Sequence, residues 1–467
     1  MDNHSNENKP LQRGLKNRHI QMIALGGGIG SGLFYGSAPA IKLAGPALTL
    51  GYLLGGLIAF AIVRALGELA VEEPVSGSFS YYANKYISSF AGYLTGWTYW
   101  FLWIVIGMVE ITVVGVYVNF WFPDIPQWLS ALGVLALITG VNLTTVKSYG
   151  EFEFWFSLIK VVTVVGMIVI GVFMIIFGLG VGQPLGFDNF IVNGGFMPNG
   201  IQGLLMALVL VMFSLGGVEL IGVTAGEADN PDKTIPKAIN NVIWRILIFY
   251  VLAIAIMLLL CPWNEIGTQG SPFVIVFDKM GIPAAAGIIN FVVLTAALSA
   301  FNSCLFSTGR MLYNLASQNH APKIFGRLSK SSTPSIGILF SAFFLLIAVV
   351  LNYFMPEKVF MYISSIATVG MITIWTIILV AQYKFRRSKT QAEVDKLKFK
   401  LPFWPYSIYF TLGFMAMVCL LMAFMEETRI ALYVAPVWFA VLYAGYKLRR
   451  INKKCIPVIG ESTQGNS

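Results

Sequence analysis

The chain is divided into twelve apolar blocks, at 20–45, 47–71, 90–121, 127–146, 154–178, 200–226, 242–262, 283–317, 335–354, 359–383, 403–424 and 430–446. About 20 apolar residues in helical form cross a ~30 Å hydrocarbon core. Only 11% of the residues are charged, against roughly a quarter in a soluble protein. These features point to an all-α polytopic membrane protein with twelve transmembrane helices and the lipid bilayer as its solvent.

Lysine and arginine set the direction of threading. Even-numbered spans return the chain to its starting side, and the segments on that side carry 24 of the 31 basic residues. The opposite side has only Lys42, Lys279, Lys358 and Arg429, while Arg64, Lys160 and Arg310 fall within or at the edges of spans. The positive-inside rule then places both termini in the cytoplasm. The net charge of +9 is topological on this reading, and the loop KFRRSKTQAEVDKLKFK is a cytoplasmic anchor rather than a nucleic-acid patch. Residues 1–19 lack a cleavable signal and are expected to stay as a cytoplasmic segment. The loops leave no room for a nucleotide-driven motor. Four scattered cysteines and three histidines suggest neither a metal site nor a disulfide framework.

Two blocks are interrupted by glycine. The first reads ALGGGIGSGLF (24–34) and the second MFSLGGVELIG (212–222). The GxGxG within the first departs from the dinucleotide fingerprint and follows no strand. Each interrupted block opens a set of five spans, 20–178 and 200–383, and an odd number of crossings makes the second set run inverted to the first. Paired broken helices in two halves point to a transporter site. Irregular backbone at membrane depth is tolerated where it lines a cavity or is buried in protein. Its free N–H groups suit a carboxylate and its free carbonyls suit an ammonium group, so two breaks side by side suit a zwitterion. Close helix packing through small residues is the simpler explanation for one such cluster; it is weaker for two at matching positions. A basic loop (384–402), two further spans (403–446) and a cytoplasmic tail (447–467) complete the order.

The blocks RHIQMIALGGGIGSGLF, RALGEL, NLTTVKSYGEFEFWFSLIK, MFSLGGVELIGVTAGEADNPDKTIPKAIN and NFVVLTAALSAFNS resemble the amino acid transporter family of the amino acid–polyamine–organocation superfamily. The chain is most similar to bacterial permeases for proline and other small neutral amino acids. The resemblance implies a LeuT-type fold of five-plus-five inverted helices with two added, location in the bacterial inner membrane, and proton-driven uptake with no cofactor beyond the proton. Carried over by motif, Gly30, Ser31 and Gly32 would receive the substrate carboxylate. Carbonyls around Gly28, Ile29, Phe213 and Gly216, beside Gly217, would receive the ammonium group. Phe213 stands where the family often has an aromatic lid.

Ionisable residues inside a membrane are functional candidates. Lys160 either couples a proton in the space where sodium-coupled relatives hold an ion, or snorkels to the interface. Glu110, deep in the third span, is a proton carrier, a substrate contact, or a neutral helix–helix donor. Glu219 reads as a gate or brace of the second break. Arg64 and Glu68, four apart on one helix, read as a self-neutralised structural pair. Ser299 is a candidate partner at the proton site. Trp97, Tyr99, Trp100 and Trp103 are expected in an interfacial belt. The reading favours a proton-coupled permease for a small neutral amino acid, proline first. Exchange, or substrates such as D-alanine, D-serine, glycine or histidine, stand as alternatives. A non-transporting sensor is disfavoured by the plain tail, and covalent catalysis is not implied.

Overall fold

A computed structural model describes residues 29–75, 78–144, 146–178, 186–223, 231–266, 270–279, 283–329 and 331–448. The expectations on Gly28, on segment 1–19 and on the tail past Leu448 lie outside the described residues. All regular elements among those described are helical.

The first apolar block gives α1 (Ser31–Phe34), a turn at Tyr35–Gly36, and α2 (Ser37–Ala44). After a single 3-10 turn come α3 (Leu48–Glu72), α4 (Ser78–Tyr86), α5 (Ser89–Asn119), α6 (Gln127–Asn142) and α7 (Val146–Phe177). The sixth block splits into α8 (Gly200–Ser214) and α9 (Leu220–Val223). Next, α10 (Pro231–Ile246) runs through a wider π-turn at Leu247–Leu252 into α11 (Ala253–Leu260). Then follow α12 (Pro272–Lys279), α13 (Pro283–Ser317), α14 (Ser335–Phe354), α15 (Pro356–Arg387), α16 (Gln391–Lys396), α17 (Tyr406–Met422) and α18 (Glu426–Leu448). Among the described residues, eight helical stretches are long and apolar enough to cross a membrane, and α6, α8 and α17 are shorter apolar helices.

The centre of the bundle is α5, which packs most extensively on α13 and α15. In its most apolar window 78% of residues are buried, against 17% for the peripheral α18. Ser88 starts α5 by accepting the Ala91 N–H on its hydroxyl (3.1 Å), an N-cap that satisfies one orphan donor. This central position corrects the aromatic expectation. Tyr99, Trp100 and Trp103 are buried among helices rather than set in an interfacial belt. Trp100 Nε1 donates to Ser341 Oγ at 3.1 Å, and its ring stacks on Phe340. A helix that is apolar on every face does not reveal which faces meet lipid and which meet protein.

The basic loop after α15 does more than anchor. Past α16 the chain runs Leu397-Lys398-Phe399-Lys400-Leu401, with the three apolar side chains buried and alternating with the lysines. Glu68 holds this strap: its Oε2 accepts the Leu401 N–H at 2.6 Å, and its Oε1 lies 3.0 Å from Arg386 Nε. Arg386 in turn donates to the Leu401 carbonyl at 3.2 Å. Arg64 donates to the Lys400 carbonyl at 3.0 Å and to Asn240 Oδ1 at 3.2 Å, while its guanidinium lies 3.7 Å from the Phe399 ring centroid. Arg64 and Glu68 therefore do not neutralise each other as an isolated pair. Each reaches across to the strap, because both side chains leave α3 where residues 397–401 pass beneath it.

Candidate functional site

Around the first break, Gly30 is extended (φ −131°, ψ −157°) and α1 starts at Ser31. The Gly30 carbonyl accepts the N–H groups of Leu33 and Phe34, so the first turn is already closed on itself. What remains is the start of α1, and a carboxylate is seated there. Glu110 Oε1, from the middle of α5, accepts the Ser31 hydroxyl at 2.8 Å and the Ser31 N–H at 3.3 Å. A Cβ on Gly30 would lie 2.9 Å from that same oxygen, so glycine is required for the close approach. The other oxygen of Glu110, Oε2, is buried and has no hydrogen-bond partner among the described residues.

The second break is closed differently. α8 ends at Ser214, and Gly217 adopts φ +87°, a conformation that favours glycine. Glu219, two residues on, turns back so that its Oε2 accepts the Gly217 N–H at 3.1 Å and Trp375 Nε1 at 3.1 Å. Tyr250, in the π-turn, donates to the Ser214 carbonyl at 3.0 Å. Glu219, expected as a gate or brace, thus ties the second break to the Trp375 indole. The Phe213 carbonyl already accepts Gly216 N–H at 3.1 Å, which leaves one lone-pair direction for another donor. The Phe213 ring meets Phe360 edge-on at 6.2 Å, and Phe360 packs on Tyr35 at 4.6 Å, making an aromatic wall beside both breaks.

The two breaks touch. Ser214 Oγ donates to the Gly32 carbonyl at 2.7 Å, and a Cβ on Gly32 would sit 2.7 Å from Ser214 Cα. Tyr52 from α3 donates to Ser214 Oγ at 3.3 Å. Close packing of a small residue and the irregular backbone thus coincide at Gly32.

Lys160 on α7 is fully buried rather than snorkelling to an interface. Its Nζ donates to Ser299 Oγ on α13 at 3.0 Å. The partner that sequence reasoning missed is Glu153. Ser299 Oγ donates to Glu153 Oε1 at 2.9 Å, and Ser157 Oγ donates to the same oxygen at 3.2 Å. A signal was available: Glu153, Ser157 and Lys160 stand at i, i+4 and i+7, one face of a helix. Both Glu153 and Glu110 are within electrostatic reach of Lys160.

The structure brings Gly30, Ser31, Gly32 and Glu110 together with Phe213 and Ser214, and it joins Lys160 to Ser299 and Glu153. Ile29 is buried at the start of the same segment, and Gly216 and Gly217 form the second break. Arg64 and Glu68 belong to the separate strap. The arrangement offers a small polar cradle between two broken helices, with ionisable groups on the helices around it.

Comparison with known proteins bears on this geometry. A family model described as amino acid permease matches residues 19–455. The chain is 54% identical to the uncharacterized amino acid permease YtnA of Bacillus subtilis (strain 168), covering 96% of this chain and 97% of that one. It is 46% identical, with the same coverage, to the amino-acid permease AapA of the same organism. Identity is also 46% to the aromatic amino acid transport protein AroP of Escherichia coli O6:H1, covering 96% and 97% of the two chains.

Proposed function

The chain belongs to the amino acid permease family, and from that premise we propose that it imports a small neutral amino acid together with a proton. It is a transporter of the multi-pass membrane type, not an enzyme. In the proposed arrangement twelve helices cross a bacterial inner membrane as two inverted sets of five plus two. Both termini face the cytoplasm, and access alternates around the two breaks.

One observation carries this reading: the Glu110 carboxylate seated on the Ser31 N–H and hydroxyl. It stands where the carboxylate of an amino acid would be received, so it closes the cradle. An incoming substrate displaces it, since one pair of donors at a helix start cannot serve two carboxylates. Two carboxylates in one dry cradle repel, and a proton on Glu110 removes the repulsion. Substrate and proton then arrive together. The substrate ammonium meets carbonyls at the breaks, with those of Ile29, Phe213 and Gly216 on hand, and Phe213 covers its side chain. Lys160, linked to Ser299 at 3.0 Å, fills with its own amine the place where a sodium ion would compete.

Proline is the first substrate to test. An aromatic amino acid is the second, favoured by the likeness to the AroP protein and by the Phe213–Phe360–Tyr35 wall. The test is uptake of labelled proline into proteoliposomes in sodium-free buffer, with and without an inward proton gradient, against a panel of unlabelled amino acids. Accumulation that requires the gradient supports symport, and the order of competitors names the substrate. Uptake only into vesicles preloaded with amino acid replaces symport with exchange.

A further inference from the structure

We propose that Glu153 is a proton acceptor in a relay that runs from Lys160 through Ser299, resting on the symport reading above. The geometry has a direction. Ser299 Oγ accepts from Lys160 Nζ at 3.0 Å and donates to Glu153 Oε1 at 2.9 Å. One hydroxyl therefore stands between a buried ammonium group and a buried carboxylate. In the relay step an N–H bond of Lys160 breaks and its proton bonds to Ser299 Oγ. The original Ser299 O–H bond breaks and that proton bonds to Glu153 Oε1. A charged pair becomes a neutral pair, and no other reactant is needed.

Two further features fit an acceptor rather than a fixed counter-ion. Glu153 is fully buried and its Oε2 has no partner among the described residues, so the carboxyl is not locked on both oxygens. Ser157, one turn away, steadies Oε1 at 3.2 Å without adding charge. Lys160 on its own helix and Cys304 on α13 lie within electrostatic range of Glu153, and Glu110 on α5 lies within range of the same lysine. Glu153 precedes Lys160 by seven residues, about two helical turns. In the proposed orientation that is the cytoplasmic side, so the proton's way out lies past Glu153.

The test uses full-length protein in proteoliposomes, with tritiated L-proline and L-phenylalanine as probes. Gradient-driven accumulation is compared with counterflow, in which labelled amino acid exchanges for unlabelled amino acid at equal pH. Glu153→Gln keeps the volume and an acceptor for Ser299 but cannot take a proton. It should lose at least about tenfold in accumulation while counterflow stays within about twofold, and Glu153→Asp should recover part of the accumulation. Wild-type accumulation in E153Q overturns the relay and leaves symport standing. Loss of counterflow together with accumulation, with no recovery in E153D, makes Glu153 structural and also overturns the relay. A wild type that exchanges but never accumulates under the proton gradient overturns symport itself, and the relay with it.

Discussion

Both breaks are closed by a glutamate, but the two glutamates come from different places. Glu219 lies two residues past Gly217 and is held by Gly217 N–H and Trp375. Glu110 lies 79 residues from Ser31 and, among the described residues, is held through Ser31. The second break is finished by its own sequence, so its carboxylate acts as masonry. The first is closed by a visitor from another helix, which a ligand of the same chemistry can replace. A buried carboxylate held by donors from two separate segments braces a structure; one held through a single residue, with a bare second oxygen, is available to exchange partners.

The largest expected effect falls on the brace. Glu219→Ala removes the acceptor for two buried donors, each worth about 1–3 kcal/mol when left unsatisfied, or about 4 kcal/mol together. Thermal unfolding of the purified protein in detergent should show a clear drop, and an unchanged midpoint would break the distinction between brace and visitor. Next comes Gly32→Ala, whose Cβ would press on the Ser214 backbone at 2.7 Å. A displacement on this scale should reduce uptake about a hundredfold, and transport at the wild-type rate would show that the contact between the breaks is dispensable. A smaller effect is expected from Glu110→Gln, which keeps an acceptor for Ser31. Gradient-driven accumulation should fall about tenfold while counterflow survives, because only the protonating group is lost. If its unfolding midpoint falls as far as that of Glu219→Ala, Glu110 is a brace as well.

The smallest effect sits in water and supplies a reference for both. Glu393 closes the start of α16 by accepting the Thr390 N–H and hydroxyl, a capping box on an exposed helix. Those bonds hold its carboxyl below the usual carboxylate range, the backbone N–H contributing most. The cap is therefore fully present above the unfolded carboxylate value and is lost as pH falls through the lower folded value. Protection of the Gln391–Lys396 amides, taken relative to the intrinsic exchange rate at each pH, should fall in that acidic window, while protection elsewhere in the protein stays level. An α16 that exchanges at a pH-independent stability would remove this carboxylate from the series.

The positions of the helices and of the two breaks were legible in the sequence, because apolar block length and glycine interruption are strong, local signals. Each of the twelve blocks holds a helix or a broken pair of helices. Among the described residues Ile29 and Gly30 lead into α1 without helix and a turn at Tyr35–Gly36 parts α1 from α2, while the second break runs from Leu215 through Gly216 and Gly217 toward α9.

What the sequence hid is partnership between distant segments. Arg64 and Glu68 look self-sufficient at a spacing of four, yet both serve the strap, whose Leu397, Phe399 and Leu401 alternate in a way that a reading of net charge passes over. Tyr99, Trp100 and Trp103 look interfacial because aromatic residues near a span end usually are, and only the crowding around α5 shows them buried. Glu110 is conspicuous as an acid in an apolar run, but its bond to Ser31 depends on how α1 and α5 cross. Glu153 is easy to overlook because a second acid nearby, Glu151, makes EFEFW read as the polar edge of a span.

The Ser214–Gly32 bond also imposes an order on biosynthesis. Its two residues are 182 positions apart, whereas Glu110 follows Ser31 by 79. At about 5–20 residues per second of synthesis, Glu110 emerges roughly 4–16 s after Ser31, while Ser214 follows Gly32 by roughly 9–36 s. The first broken helix therefore enters the membrane well before the serine that will bind its carbonyl has been made. For that interval Glu110 is the earlier of the two partners to arrive, and the same carboxylate that closes the cradle in the finished protein can steady its unwound start during assembly.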